Sequence, residues 1–174
     1  MRTFLPLAAA LAAAFALPAV QAQPAPTDPQ VAHIVVTANQ VDIDAGKLAE
    51  KMSSSKDVRA FGHQMVADHT AVNKSATELV TRLKVKPEAN DTSAALHRGG
   101  EANIARLKKL SGKAFDKAYV DNEVTYHQAV IDAVDKTLLP AAKNPELRAL
   151  IEKVRPALVQ HLEHARHLQA QLAR

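Results

Sequence analysis

The chain has no cysteine and no tryptophan, and only 3% of its 174 residues are aromatic. Without cysteine there is no disulfide to staple the fold and no thiol nucleophile. A chain of this kind must rely on core packing alone. Scarce aromatics remove the stacking platforms that nucleic acids and sugars use. Charge of one sign is also missing as a feature. The formal net charge is only +4, acids are spread among bases, and no run reaches five like charges. Nothing resembles the basic stripe of a nucleic-acid binder. Two catalytic motifs are absent as well, Gly-x-Ser-x-Gly and His-Glu-x-x-His. The five glycines include the pair Gly99-Gly100, too short and isolated for a phosphate loop. No segment alternates convincingly as a strand.

What is present begins at the amino end. Met1-Arg2-Thr3-Phe4 carries one positive charge, Leu5 to Val20 is uncharged and apolar, and Val20-Gln21-Ala22 has small residues flanking a variable one. This is the pattern of a secretory signal peptide cleaved near Ala22. The apolar run is too short and weakly flanked for a stable membrane span. No cysteine follows to carry a lipid anchor. The expectation is a periplasmic protein starting near Gln23, with no transmembrane span after cleavage. Removing residues 1–22 from 174 leaves 152, enough for one domain burying about two thirds of its unfolded surface.

Residues 23–27 (QPAPT) read as a disordered Pro-rich segment, and 28–174 as the folded domain. Asp28-Pro29 reads as a helix cap with proline at the first position. An apolar stripe through Val31, Ile34, Val35, Ala38, Val41, Ala45 and Leu48 predicts a helix to about Met52. Ser53-Ser54-Ser55 interrupts it and caps a second helix, about Lys56 to Lys84. Pro87 to Thr92 reads as a loop. A shorter helix, Ser93 to Leu110, should kink or break at Gly99-Gly100, where glycine costs roughly 1 kcal/mol per residue. A further helix spans about Lys113 to Leu138 and stops at Pro140. Asn144-Pro145-Glu146 starts the last helix, which runs to about Leu172 and bends at Pro156. Four long helices and one short one, joined by short loops, predict an all-α antiparallel bundle.

Polar residues on the apolar stripes carry any chemistry. His69 follows Met65 on the inner face of the second helix, with Asp68 beside it. Glu123 and His127 are four apart and share a face, with Asp116 two turns earlier. His161 continues the Val154–Leu158 stripe. Asp42 lies between Ala38 and Ala45. If these converge, His69, Glu123, His127 and His161 make a candidate centre for a divalent transition-metal ion. Asp42 or Asp68 would be a further ligand or support the histidines. His161 with His164 is a second possible pair, while His167, His63 and His97 read as surface residues. The competing view is that each histidine is simply hydrogen-bonded to a nearby carboxylate. A di-iron centre of the ferritin-like kind needs Glu-x-x-His on two helices. No Asp or Glu here has a histidine three residues later.

The phrase from Val58 to Thr70, with Phe61, Met65-Val66 and Asp68-His69, resembles an exported bacterial family called domain of unknown function 4142. Phe115-Asp116-Lys117-Ala118-Tyr119, His127 and the segment Pro156 to Leu162 follow in that family's order. The likeness covers about Val31 to Leu168. It implies a ferritin-like antiparallel four-helix bundle with an extra short helix, exported to the cell envelope, and brings no established activity. Two departures stand out. Gly62 occupies a place where alanine is usual, and Val41-Asp42-Ile43-Asp44 replaces a common Glu-Ile phrase. Members are often labelled outer-membrane proteins, but no ten-residue alternating strands exist here to build a barrel.

Three functions are carried forward from the sequence. The first is binding of a metal ion or small ligand in the bundle core, under envelope stress. The second is a structural bundle that docks an envelope protein. The third is a metal-dependent redox enzyme, against which the missing Glu-x-x-His counts. Convergence of His69, His127 and His161 separates the first from the second.

Overall fold

The computed structural model describes residues 24–174. The leader read over residues 1–22 lies outside them. Residues 24–27 have no regular secondary structure, and everything regular after them is helical. The helices are α1 (Asp28–Met52), α2 (Lys56–Arg82), α3 (Asp91–Leu107), α4 (Gly112–Ala133), α5 (Leu139–Ala141) and α6 (Pro145–Leu172); a π-helical turn, Val134–Leu138, joins α4 to α5. Among the described residues no helix is long and apolar enough to cross a membrane.

Local chemistry explains the boundaries. Thr27, not Asp28, caps α1, and its backbone N–H donates to Gln30 Oε1 at 3.1 Å. The Asp28 carboxylate instead accepts from the Lys143 and Asn144 N–H groups at 2.7 and 2.9 Å, tying the first helix to the start of the last. Asn144 Oδ1 accepts from the Glu146 and Leu147 N–H groups, as a capping asparagine should. Pro140 does not stop its helix. Its ring crowds the carbonyl four residues back, so the preceding turn widens. Leu139 N–H then donates to the Val134 carbonyl, five residues back. The α3 helix begins at Asp91, two residues before the expected start, because Asn90 and Ser93 cap it reciprocally.

The glycine pair does not break α3. Gly100 is there for a close approach: a Cβ on it would lie 2.8 Å from Val41 Cγ2 of α1. Helices α1 and α2 approach still more closely. A Cβ on Gly46 would lie 2.7 Å from the Gly62 carbonyl oxygen, and one on Gly62 would lie 2.9 Å from Ala49 Cβ. That contact accounts for glycine at position 62. Gly46→Ala should therefore destabilise the fold by roughly 1–3 kcal/mol, because backbone must move. Gly99 faces open space, so Gly99→Ala should stabilise by about 0.5–1 kcal/mol. Urea denaturation of the two variants checks the contrast.

Contacts between α1 and α2, α2 and α6, α6 and α4, and α4 and α1 close a ring of helices, with α3 packed on α1. Neighbours in the ring run antiparallel. Arg82 meets Glu146 at one end of the α2–α6 pair and Gln64 meets His164 at the other. Arg155–Asp135 and Gln169–Asp121 order α6 against α4 and the π-helical turn that extends it in the same way. At one end, Asp116 of α4 clamps the α1–α2 loop, accepting from Ser53 Oγ and Ser54 Oγ at 2.5 and 2.6 Å. It is a structural tie there, not part of the central cluster.

The apolar core falls into two parts. One contains Val31, Ile34, Leu79, Ile131, Leu147 and Ile151. The other contains Ala49, Phe61, Met65, Phe115, Tyr119 and Leu168. Along α1, α2 and α4 buried polar residues separate the two, and on α6 one stands near the boundary between them. These residues are Asp42 with Asn39, His69, Glu123 with His127, and His161. A polar layer therefore crosses the middle of the molecule.

Candidate metal centre

Each of the four ring helices contributes to that layer because an inner-face position is polar instead of apolar. Burying five titratable side chains costs several kcal/mol unless their charges and hydrogen bonds are compensated. Asp42, Glu123 and His127 are each 1% exposed; His69 is 4% and His161 is 3% exposed. The rings of His69, His127 and His161 stand 5.3 to 5.8 Å apart, centroid to centroid. One nitrogen from each lies within 4.8 Å of the others, and Asp42, Glu123 and His127 form a second such trio.

The outer ring nitrogens are all engaged. Asn39 Nδ2 donates to the Val35 carbonyl, which leaves Asn39 Oδ1 to accept from His69 Nδ1–H at 2.6 Å. His127 Nδ1–H donates to the Glu123 carbonyl at 3.1 Å. His161 Nε2–H donates to Asp68 Oδ2 at 2.9 Å. With the outer nitrogen of each ring hydrogen-bonded, its other nitrogen faces inward. Those inner atoms, His69 Nε2, His127 Nε2 and His161 Nδ1, have no hydrogen-bond partner, nor have both Asp42 oxygens and Glu123 Oε2.

Asp42 Oδ2 lies 2.9 Å from His69 Nε2 and 3.3 Å from His127 Nε2, yet neither contact is aligned as a hydrogen bond. Atoms bound to one ion at 2.0–2.1 Å are separated by about 2.9 Å in octahedral and about 3.3 Å in tetrahedral geometry. The spacing suits co-ligands. Electrostatics agree. Burial would raise the Asp42 carboxyl, but His69 and His127 outweigh it and hold the group at about 2. Burial first, then the Asp42 charge, pushes Glu123 well above the usual carboxylate range. Burial lowers both His127 and His161, so these rings are neutral near pH 7. Neutral His127 and His161 beside an ionised Asp42 suit a cation.

Five of the six residues singled out from sequence, His69, Glu123, His127, His161 and Asp42, meet at this point. Asp68 does not; it is half-exposed and orients His161 from outside. The His161–His164 pair does not form either. His164 is exposed, beside Gln64 and the Phe61 ring. His63 and His97 pair with Glu50 and Glu101 at the surface. Asn39 was missed, because an asparagine in mid-helix reads as solvent-facing. Its position one turn before Asp42 was the available signal. Tyr126, also missed, closes one side by donating from its hydroxyl to the Ala38 carbonyl at 2.8 Å.

No curated protein and no solved structure matches the chain. The family model described as Domain of unknown function (DUF4142) matches residues 13–168, nearly the whole described domain, and the chain therefore belongs to that family.

Proposed function

We propose that this chain is an exported, ferritin-like four-helix-bundle protein that binds one divalent transition-metal ion between its helices in the periplasm. One observation carries the reading: three buried imidazoles, each with its outer nitrogen hydrogen-bonded, bring unpartnered inner nitrogens together beside the buried carboxyl groups of Asp42 and Glu123. Such outer partners fix ring orientation and tautomer in metal sites. The donor set of three imidazoles with carboxylate suits zinc, copper, nickel or iron better than calcium or magnesium. The closed ring of antiparallel helices supports the four-helix architecture, with α3 as the extra helix. Export rests on the leader pattern of residues 1–22.

A second reading rests on the 2.9 Å separation of His69 and Asp42. A proton on His69 Nε2 would make this a buried ion pair, and the layer a structural device in a bundle that docks an envelope partner. Dialysis of residues 23–174 against zinc, copper, nickel, iron and manganese, followed by metal analysis, decides between them. About one equivalent per chain is expected, lost in His69→Ala and His161→Ala proteins that keep their helical content. No retained metal favours the second reading. Fractionation of cells making the full chain, with N-terminal sequencing, tests export; a mature start near Gln23 is expected.

A further inference from the structure

A cavity of about 60 Å³ lies against the candidate metal centre. Asn39, Asp42, His69, His127 and His161 form its polar end. Val72, Val134, Leu138, Ile151 and Leu158 line much of the rest, and Tyr126 and the half-exposed Asp68 also border it. Glu123 is not in the wall, whereas Asp42 and the three imidazoles are. The size is restrictive. A water needs roughly 10–15 Å³ measured this way, and a cavity that takes benzene is about 150 Å³. Only a few atoms fit. The apolar end offers no hydrogen-bond partner, and a charged guest there would lose its hydration without compensation. The wall also includes both ends of the π-helical turn, Val134 and Leu138, and such turns recur at functional sites.

We propose that this cavity is the pocket for a neutral diatomic molecule, of the dioxygen or nitric oxide class, which binds at the coordination position of the ion that the protein leaves open. The inference rests on the metal reading above. Asp42 and the three imidazoles all stand at one end of the cavity, so the space beside them is open to a further ligand of the ion. A molecule of two atoms needs no hydrogen bond from Val72 or Leu138, and its contact with the ion supplies the polar interaction.

The test uses the mature chain loaded with iron(II) without oxygen, titrated with nitric oxide and read by the electron paramagnetic resonance of the iron-nitrosyl. Ala38→Leu on α1 and Ala157→Leu on α6 fill the cavity from opposite walls, and neither residue is a candidate ligand. One nitric oxide per iron is expected in the unaltered protein. Each leucine variant should keep its iron and helicity and bind nitric oxide about tenfold or more weakly. If a leucine variant fails to fold, valine at the same position is read by the same rule. Retained iron that binds no nitric oxide overturns the pocket and leaves the metal reading standing. Unchanged binding in both filled variants overturns it too. Retention of another metal but not iron also overturns the diatomic ligand, whereas retention of no metal at all removes the metal reading and this inference together.

Discussion

Zinc-loaded protein should melt roughly 8–16 °C above the same protein in excess chelator. An ion that binds only the folded state, held at a thousand times its dissociation constant, adds about 4 kcal/mol. For a domain of this size each kcal/mol is worth about 2–4 °C. The reason for so large an effect lies in the metal-free state. Three bare imidazole nitrogens and the Asp42 oxygens face one another without hydrogen-bond partners, an arrangement a cation would stabilise directly. Calorimetry of the unaltered chain and of His69→Ala, each with zinc and with chelator, separates the two readings of the polar layer. A metal ligand at position 69 predicts that the gap closes in the variant. A purely structural histidine predicts no gap in either protein, and a melting point lowered equally with and without zinc.

Acid should undo the site. Bound metal is expected to leave below about pH 6, because protonated imidazole has no lone pair to offer; metal still in place at pH 5 would sink the assignment. The metal-free protein should weaken over an overlapping range. His127 and His161 are lowered in the fold, first of all by burial, so the unfolded chain binds more protons there. Their contribution is complete above about 6.5, the ordinary imidazole value, and is lost as pH falls through the lowered folded values. Asp42, held at about 2 against burial by His69 and His127, gives way only in far stronger acid. Glu123 has the opposite sign. Burial and Asp42 raise it, so its contribution is complete below the ordinary carboxylate range and is lost as pH rises through its raised value. Glu123→Gln should therefore flatten the alkaline side of the metal-free stability profile while weakening metal binding. Urea denaturation across pH in chelator, for the unaltered protein and this variant, measures both slopes.

The helices were legible because their signals are local. The apolar stripe of α1, the serine break before α2 and Asn144-Pro145 before α6 act within a few residues, and the structure keeps all of them. The errors arose where a distant partner decides. Gly99-Gly100 reads as a break only until Val41 of α1 is seen against Gly100. Asp28 looks like a cap for its own helix, yet its carboxylate serves the N–H groups of Lys143 and Asn144, far along the chain. Pro140 should end a helix by losing one hydrogen bond, but the chain can widen into a π-helical turn and continue.

For the candidate site the division is similar. Polar residues on apolar stripes, His69, His127, His161, Asp42 and Glu123, marked themselves by violating the pattern around them, since burying such groups without purpose is costly. Spacing on one helix says which residues share a face, and so the sequence by itself determined an all-helical chain, its family and the residues worth suspecting. It could not say that Asp68 would turn to His161 while Asp42 turned inward, or that Asn39 would orient His69. It could not show a cavity beside them. Those outcomes depend on the register in which four helices meet, set by contacts such as Gly46 against Gly62 and by the packing of two apolar clusters around a polar layer. Only the tertiary structure decided them, because a ligand set drawn from four helices exists only once their packing has brought the side chains together.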